Sequence, residues 1–330
     1  MPNVNRQRRL VAKTLALAPA WAASRAAAAQ RPVLAVADTP LAAAALLAEA
    51  EGLFSAEGLA LEVRHFPIGR VCLQHLLAGR AQFATAADTP IMLAAFTRQD
   101  FGIVATIATS GAEYRMVVRR DRGIGQPADL VGRRIGMLVG SDAHYFAESF
   151  LLFHGVPTAG VTWVPLEPGD APGPLVRGEI DAAALFHPHV GVALHALGPR
   201  ALALPTPAFF SVTFNLVSAS AAAGGSDADL ERLLRALRRA TALLRDQPAR
   251  AQAILARVLK LPPAELAATF KSFDFQVELA PSLLTTLEAQ SRWAQRQQLV
   301  PAGAVAPDLL NLLRPGPLQT VDPRAVRVRV

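Results

Sequence analysis

Polar and charged side chains mark the points in this sequence where short apolar runs end and helical patterns begin. Backbone N–H groups and the helix dipole at such points suit an oxyanion, and a nearby arginine or hydroxyl adds charge or hydrogen bonds. The candidates for holding a small ligand in this way are Asp38, Thr39, Arg70, Asp88, Thr89, Ser110, Ser141, Asp142 and Asn215.

Four of these residues begin helices, and their roles differ. Arg70 follows Gly69 at a helix start, where the dipole disfavours a cation, so it is either a ligand contact or a solvent-exposed arginine. Ser141 offers a hydroxyl beside free backbone N–H groups, which together could hold an oxyanion. Thr89 and Asp142 are each either a plain N-cap or a ligand contact.

A β-α-β-α rhythm is expected to position these residues. Apolar runs predict strands near 32–36, 59–66, 83–86 and 103–107, and again near 115–119, 134–139, 162–166 and 180–185. Helical patterns with short connections lie between them, which favours mainly parallel sheets covered by helices. A strand near 211–218 follows, and helices beginning near 226, 248, 263 and 282 complete the chain.

The rhythm predicts an α/β fold of two lobes with a helical C-terminal segment. Lobe one is expected to comprise 30–119 plus 209–330, and lobe two 120–208. Two crossings of the chain would join the lobes, with a ligand cleft at the carboxyl ends of the strands. Asn215, on the strand that returns to lobe one, is expected to face this cleft.

The net charge of +7 is concentrated at the two ends of the 330-residue chain. Residues 1–29 hold five basic residues and no acid, and their basic start, apolar stretch and final alanines predict a cleavable export signal peptide. The Arg8-Arg9 pair leaves twin-arginine and general secretory export open. Because residues 322–330 carry the rest of the excess positive charge, the folded body is neutral and no nucleic-acid partner is expected.

Residue counts and motifs exclude several kinds of site. The single cysteine, Cys72, excludes an internal disulfide framework and an iron–sulfur cluster. Seven scattered histidines predict no metal centre, although His187-Pro188-His189 has two of them close together. No G-x-S-x-G or P-loop is present, so no cofactor and no catalytic residue are expected.

Five segments follow one another in an order typical of a known family. They are G-L-F-S-A-E-G-L-A-L-E at 52–62, L-L-A-G-R-A-Q-F-A at 76–84, P-A-D-L-V-G-R-R-I-G at 127–136, R-G-E-I-D-A-A at 177–183, and S-R-W-A at 291–294. Together they resemble substrate-binding proteins of bacterial ABC importers in the nitrate/sulfonate/taurine group, which also contains thiamine-pyrimidine-synthase-like proteins. The family more often has Asp where Gln82 stands.

The resemblance implies a type II periplasmic-binding-protein fold whose lobes close over a ligand by a hinge motion. It also implies a monomeric, periplasmic, non-catalytic protein. Its partners would be a small sulfonate-, taurine- or nitrate-like ligand and an inner-membrane permease with ATPase subunits. A pyrimidine or other heteroaromatic ligand, a same-fold enzyme and a sensor remain the alternatives. A related desulfinase uses a cysteine nucleophile, but Cys72 lies within a helical pattern and is expected to be a buried apolar residue.

Two histidines become candidates through the resemblance. Ser141 and His144 match the family's Gly-Ser/Thr-x-x-His-Tyr stretch. His187 stands in Phe186-His187-Pro188, where many relatives have Trp-Glu-Pro, so an indole and a carboxylate are both replaced. The acids Asp38, Asp88 and Asp142 disfavour a bare divalent anion, and a zwitterion such as taurine or a polar heteroaromatic would use both signs of charge.

The export signal makes a direct prediction. Protein recovered from the periplasm of a producing cell should begin at Gln30, because the small residues before it suit signal peptidase. Intact mass and N-terminal sequencing measure this. A secreted form that begins well before Gln30 would contradict the predicted cleavage.

Overall fold

Eleven strands and twelve α-helices are present in the computed structural model, which describes residues 31–206, 210–220 and 226–329. The predicted signal peptide lies outside the described residues. The strands are β1 Val33–Ala37, β2 Glu62–Phe66, β3 Phe83–Ala87, β4 Phe101–Ser110, β5 Tyr114–Arg119, β6 Arg134–Met137, β7 Thr162–Pro165, β8 Ala182–Phe186, β9 Ala201–Ala203, β10 Val212–Ala219 and β11 Phe273–Asp274.

The helices lie mostly between these strands and in the C-terminal third of the chain. They are α1 Ala43–Ala50, α2 Leu53–Ala56, α3 Gly69–Leu77, α4 Asp88–Ala95, α5 Asp142–Phe153, α6 Gly173–Arg177, α7 His189–Leu197, α8 Asp227–Asp246, α9 Pro248–Leu259, α10 Pro263–Phe270, α11 Pro281–Arg296 and α12 Gly316–Val321. Within the described ranges, none of the helices has the length and apolar character needed to cross a membrane.

The first sheet has six strands in the order β11-β4-β10-β3-β1-β2. β1 pairs in parallel with β2 and β3, as the β-α-β pattern predicts. β10 instead lies antiparallel between β3 and β4, and β11 is antiparallel to β4. β4 therefore runs in the same direction as β1, β2 and β3, so the sheet is mainly parallel in strand direction, as predicted. The returning strand β10 and the short β11 run the opposite way and make it a mixed sheet.

The second sheet has five strands in the order β7-β6-β8-β5-β9. β6 is parallel to β7 and β8, whereas β5 is antiparallel to β8 and β9. The sequence analysis counted residues 115–119 with lobe one, but β5 belongs to the second sheet. The chain crosses between sheets at residues 111–113, which carry no strand, and we propose this crossing as the lobe boundary.

Apolar side chains explain where the helices lie. α1 is rich in alanine and buried almost throughout, so α8 can pack closely against it. α8 buries the leucines of its predicted apolar face, including Leu230, Leu237 and Leu244. Its arginines are paired within the chain, since Arg235 and Arg239 both bind Glu57. The basic face of α8 therefore stabilises its packing on α2.

The start of α3 lies very close to the first sheet. A Cβ atom added at Gly69 would stand 2.9 Å from the Ala86 Cα and 3.1 Å from the Phe214 ring. Such distances are too short for a real methyl group, so only glycine allows α3 to begin here. The following residue, Arg70, is thereby held beside the end of β3.

Gly69→Ala should lower the free energy of unfolding by about 1–3 kcal/mol, because the new methyl group overpacks the contact between α3 and β3. Gly169→Ala is the matched control, since a Cβ there meets no atom within 4 Å. Urea unfolding of both variants measures the difference. Equal stability of the two variants would show that α3 can shift at little cost.

Candidate functional site

A small cavity lies between the two sheets at the carboxyl ends of β1, β3, β6 and β8. Its volume is about 50 Å³, which leaves room for only a few water-sized groups. The first-sheet side contributes Thr39, Ile68, Gly69, Arg70, Ala87 and Phe214, and the second-sheet side Glu113, Tyr114, Leu138, Ser141, Asp142 and Phe186. Four sequence candidates, Thr39, Arg70, Ser141 and Asp142, therefore lie together here.

Arg70 links the two sides of the cavity. It is the second residue of α3, and its Nη1 donates to the carbonyl of Val139, on the loop after β6, at 2.9 Å. Its Nε is buried and has no hydrogen-bond partner within the described residues. The guanidinium thus offers a positive charge and an unused donor at the cavity.

Two further polar atoms at the cavity lack partners among the described residues. They are Oγ1 of Thr39 and Oε2 of Glu113. Thr39 as a residue is 6% exposed and Glu113 is 2% exposed. A buried polar group without a partner costs about 1–3 kcal/mol relative to a paired one. A ligand that supplied partners for these atoms and for Arg70 Nε would remove that cost on binding.

Glu113 was not a sequence candidate. It lies in the crossing between β4 and β5, three residues after the candidate Ser110. Burial raises the pKa of its carboxyl well above the usual value, and the charge of Arg115 only partly opposes this. Burial therefore favours the neutral, protonated form of this side chain.

Ser141 is the N-cap of α5. Its Oγ accepts a hydrogen bond from Ala143 N at 3.2 Å and donates to Leu138 O at 2.7 Å. The hydroxyl proton is therefore committed to the protein, although the residue lines the cavity. Any anion at this helix start would meet backbone N–H groups before it met the hydroxyl.

Asp88 and Asp142 form a buried carboxyl pair beside the cavity. Asp88 accepts hydrogen bonds from Thr213 N at 2.8 Å, Thr213 Oγ1 at 2.9 Å and Gln290 Nε2 at 2.8 Å. Asp142 accepts from Thr89 N at 3.1 Å. Burial, the negative charge of Asp88 and a hydrogen bond to Asp88 all raise the pKa of Asp142. These effects favour the protonated form of Asp142, which can donate to Asp88 across the two sides.

Three sequence candidates lie away from the cavity lining and are bound by other parts of the protein. Asp38 pairs with His65 Nδ1 at 2.7 Å in an exposed position. Ser110 donates to Ser272 O at 3.1 Å, which ties β4 to the loop before β11. Asn215 is fully buried and accepts from Thr106 at 2.8 Å. Since their polar atoms bind protein groups, these residues support the framework around the cavity.

The two candidate histidines also contact protein groups outside the cavity lining. His144 lies on α5 with its Nε2 3.2 Å from Glu148, and Glu148 accepts from Trp293 Nε1 at 2.7 Å. His187 lies 3.4 Å from Thr269 Oγ1, and burial lowers its pKa to about 4. In the described residues, no group of three or more His, Cys, Asp or Glu side chains could hold a metal ion.

A wider groove of about 700 Å³ runs between α5 and α11. Tyr145 and Trp293 form its floor, and Leu152, Arg292 and Arg296 lie along its rim. It is larger than the cavity but far more open. None of the unpaired Thr39, Arg70 and Glu113 atoms lies in this groove, so the small cavity is the better candidate for recognising a ligand.

Two α/β halves around a polar cavity at strand carboxyl ends define a two-lobed ligand-binding protein. Residues 39–251 match the NMT1/THI5 like family, and the chain belongs to this family. The resemblance predicted from the five sequence segments is confirmed.

Two relatives carry descriptions that name ligands. The taurine-binding periplasmic protein of Escherichia coli (strain K12) is 29% identical over 147 residues, which cover 44% of this chain and 45% of that protein. The putative aliphatic sulfonates-binding protein of the same strain is 27% identical over 202 residues, which cover 61% and 63%. The chain thus spans less than two thirds of the length of either relative.

A solved structure shares the whole architecture. The alkanesulfonate-binding protein SsuA from Xanthomonas axonopodis pv. citri, solved with bound MOPS, superposes with a TM-score of 0.72 at 21% identity. The superposition covers 86% of this chain and 98% of that protein. The type II periplasmic-binding-protein fold predicted from the sequence is confirmed.

The buried pair of Asp88 and Asp142 leads to a prediction about how stability depends on pH. Because the folded-state pKa of Asp142 is raised, the folded protein holds an extra proton, and Asp142 costs stability as pH rises above about 4, by up to about 1.4 kcal/mol per pH unit. Asp142→Asn keeps a donor for Asp88 and an acceptor for Thr89 but cannot ionise. Its stability relative to the wild type should therefore increase between pH 4 and pH 8.

Urea unfolding at several pH values measures this difference, with the exposed Asp246→Asn as control. Asp142→Ala should be destabilised at every pH, since it leaves Asp88 without that donor. A constant difference between Asp142→Asn and the wild type across the pH range would show that Asp142 does not hold a proton in the folded state.

Proposed function

We propose that this protein is the periplasmic solute-binding component of an ABC importer and that it binds a small organosulfonate in the cavity between its lobes. The observation that carries the proposal is the unpaired Nε of Arg70 beside the unpaired hydroxyl of Thr39. Both donors face one cavity together with the starts of α3 and α5. Similarity to a taurine-binding protein and to a putative aliphatic sulfonates-binding protein supports the same ligand class.

A sulfonate fits this arrangement by charge and by geometry. It carries one negative charge over three oxygens, so it can accept from a guanidinium, a hydroxyl and a backbone N–H group at once. Tyr114, Phe186 and Phe214 supply apolar surface for a short hydrocarbon part. Burial raises the pKa of both Glu113 and Asp142, which reduces the negative charge that would repel the anion.

Closure of the lobes follows from the contacts that bridge them. Arg70 binds the Val139 carbonyl, Asp142 binds Thr89 N, and Trp293 binds Glu148. A ligand that touches Arg70 and the start of α5 adds to these contacts only when the lobes are together. Ligand binding would therefore favour the closed form, which an importer permease would receive.

Calorimetric titration with a panel of ligands tests the proposal. Ethanesulfonate or taurine should bind the exported protein, whereas nitrate, pyrimidines and aromatic carboxylates should bind far more weakly. Arg70→Ala should weaken sulfonate binding at least 100-fold, because the positive charge and the unpaired Nε donor are lost. Arg80→Ala, at an exposed position just after the same helix, should leave the affinity unchanged.

A pyrimidine that bound more tightly than every sulfonate would contradict the proposed ligand class. An unchanged affinity in Arg70→Ala would contradict the proposed site. Stimulation of the cognate permease–ATPase complex by the loaded protein measures the importer role, and binding without stimulation would favour a sensor.

We propose that Cys72 has no catalytic role. It lies inside α3 with its Sγ 3.6 Å from Ile68 O, it is buried, and burial raises its thiol pKa to about 12. The folded protein at pH 8 should therefore not react with a thiol reagent, whereas the urea-unfolded chain should react with one equivalent of the reagent. Rapid reaction of the folded protein would reopen the possibility of a cysteine-dependent enzyme.

A further inference from the structure

Glu113 is an acid in the cavity lining whose Oε2 has no hydrogen-bond partner among the described residues. Asp142 also lines the cavity, but it is bound to Asp88 and Thr89 N. Oε2 of Glu113 is buried and has no hydrogen-bond partner within the described residues. The carboxyl belongs to the second-sheet side of the cavity, whereas Arg70 belongs to the first-sheet side.

The surroundings of Glu113 provide little compensation for a negative charge. Arg115 is the cation that acts on it, but Arg115 is itself half-buried and its Nη1 donates to Thr206. Arg70 lines the same cavity, and burial and nearby acids raise the pKa of both Tyr114 and Asp142. Burial thus favours the neutral form of Glu113, and a cation that entered the cavity would favour its carboxylate.

We propose that Glu113 is a specificity-determining residue that binds the ammonium group of a zwitterionic ligand while Arg70 binds its sulfonate. The substrate class would then be short aminoalkanesulfonates rather than plain alkanesulfonates. This inference rests on the proposed sulfonate-binding function and narrows it.

Binding of such a ligand has a defined proton balance. The O–H bond of the Glu113 carboxyl breaks, the proton passes to solvent, and the resulting carboxylate accepts hydrogen bonds from the ligand's ammonium group. A plain alkanesulfonate supplies no cation, so Glu113 keeps its proton and none is released. Proton release on binding thus distinguishes recognition of the amine from recognition of the sulfonate alone.

Calorimetric titrations at pH 7 in two buffers of different ionisation enthalpy measure this release. Taurine should release about one proton and bind at least 10-fold more tightly than ethanesulfonate, which should release almost none. The affinity for taurine should also rise from pH 6 to pH 7, whereas that for ethanesulfonate should not. β-Alanine, which replaces the sulfonate by a carboxylate, tests the Arg70 end of the site.

Glu113→Gln should remove both the proton release and the preference for taurine, while ethanesulfonate affinity should stay within about 3-fold. The exposed Glu62→Gln serves as the matched control. Wild-type protein that binds ethanesulfonate as tightly as taurine, with no proton release, would overturn this inference and leave the proposed function standing. Failure of both sulfonates to bind would overturn the proposed function as well.

Discussion

Two buried carboxyl groups, Asp88 and Asp142, meet across the halves of this protein beside the ligand cavity. Asp88 at the start of α4 is fixed by β10 and α11, and Asp142 at the start of α5 meets it from the second half. The start of α5 thereby has a fixed position, and the loop that precedes it brings the Val139 carbonyl to Arg70. The shape of the cavity consequently depends on this pair, although Asp88 itself lies outside the lining.

The electrostatics of the cavity follow from burial. Burial raises the pKa of both Asp142 and Glu113 and so favours their neutral forms, whereas Arg70 brings a positive charge to the lining of the described structure. An anion is thus attracted by one guanidinium without opposition from the neighbouring acids. Glu113 differs from Asp142 because its free oxygen faces no protein donor, so a ligand can change its protonation.

The sequence predicted most elements that carry the site. The starts of α3 and α5 and the ends of β3 and β6 follow from apolar periodicity and from the glycine and serine that precede the helices. It therefore placed Thr39, Arg70, Ser141 and Asp142 correctly at strand ends, where the structure brings them together. The sheet to which β5 belongs could not be predicted, because strand pairing depends on contacts far apart in the chain.

The roles of individual side chains were harder to predict for the same reason. Asp88 and Asn215 resemble cleft residues in the sequence, yet partners more than a hundred residues away occupy their polar atoms. Glu113 was missed because nothing in its local sequence shows that it is buried without a partner. A sulfonate-bound crystal structure tests the central claim most directly. The account predicts sulfonate oxygens within hydrogen-bond distance of Arg70 Nε and Thr39 Oγ1, whereas a sulfonate seated in the groove between α5 and α11 would contradict it.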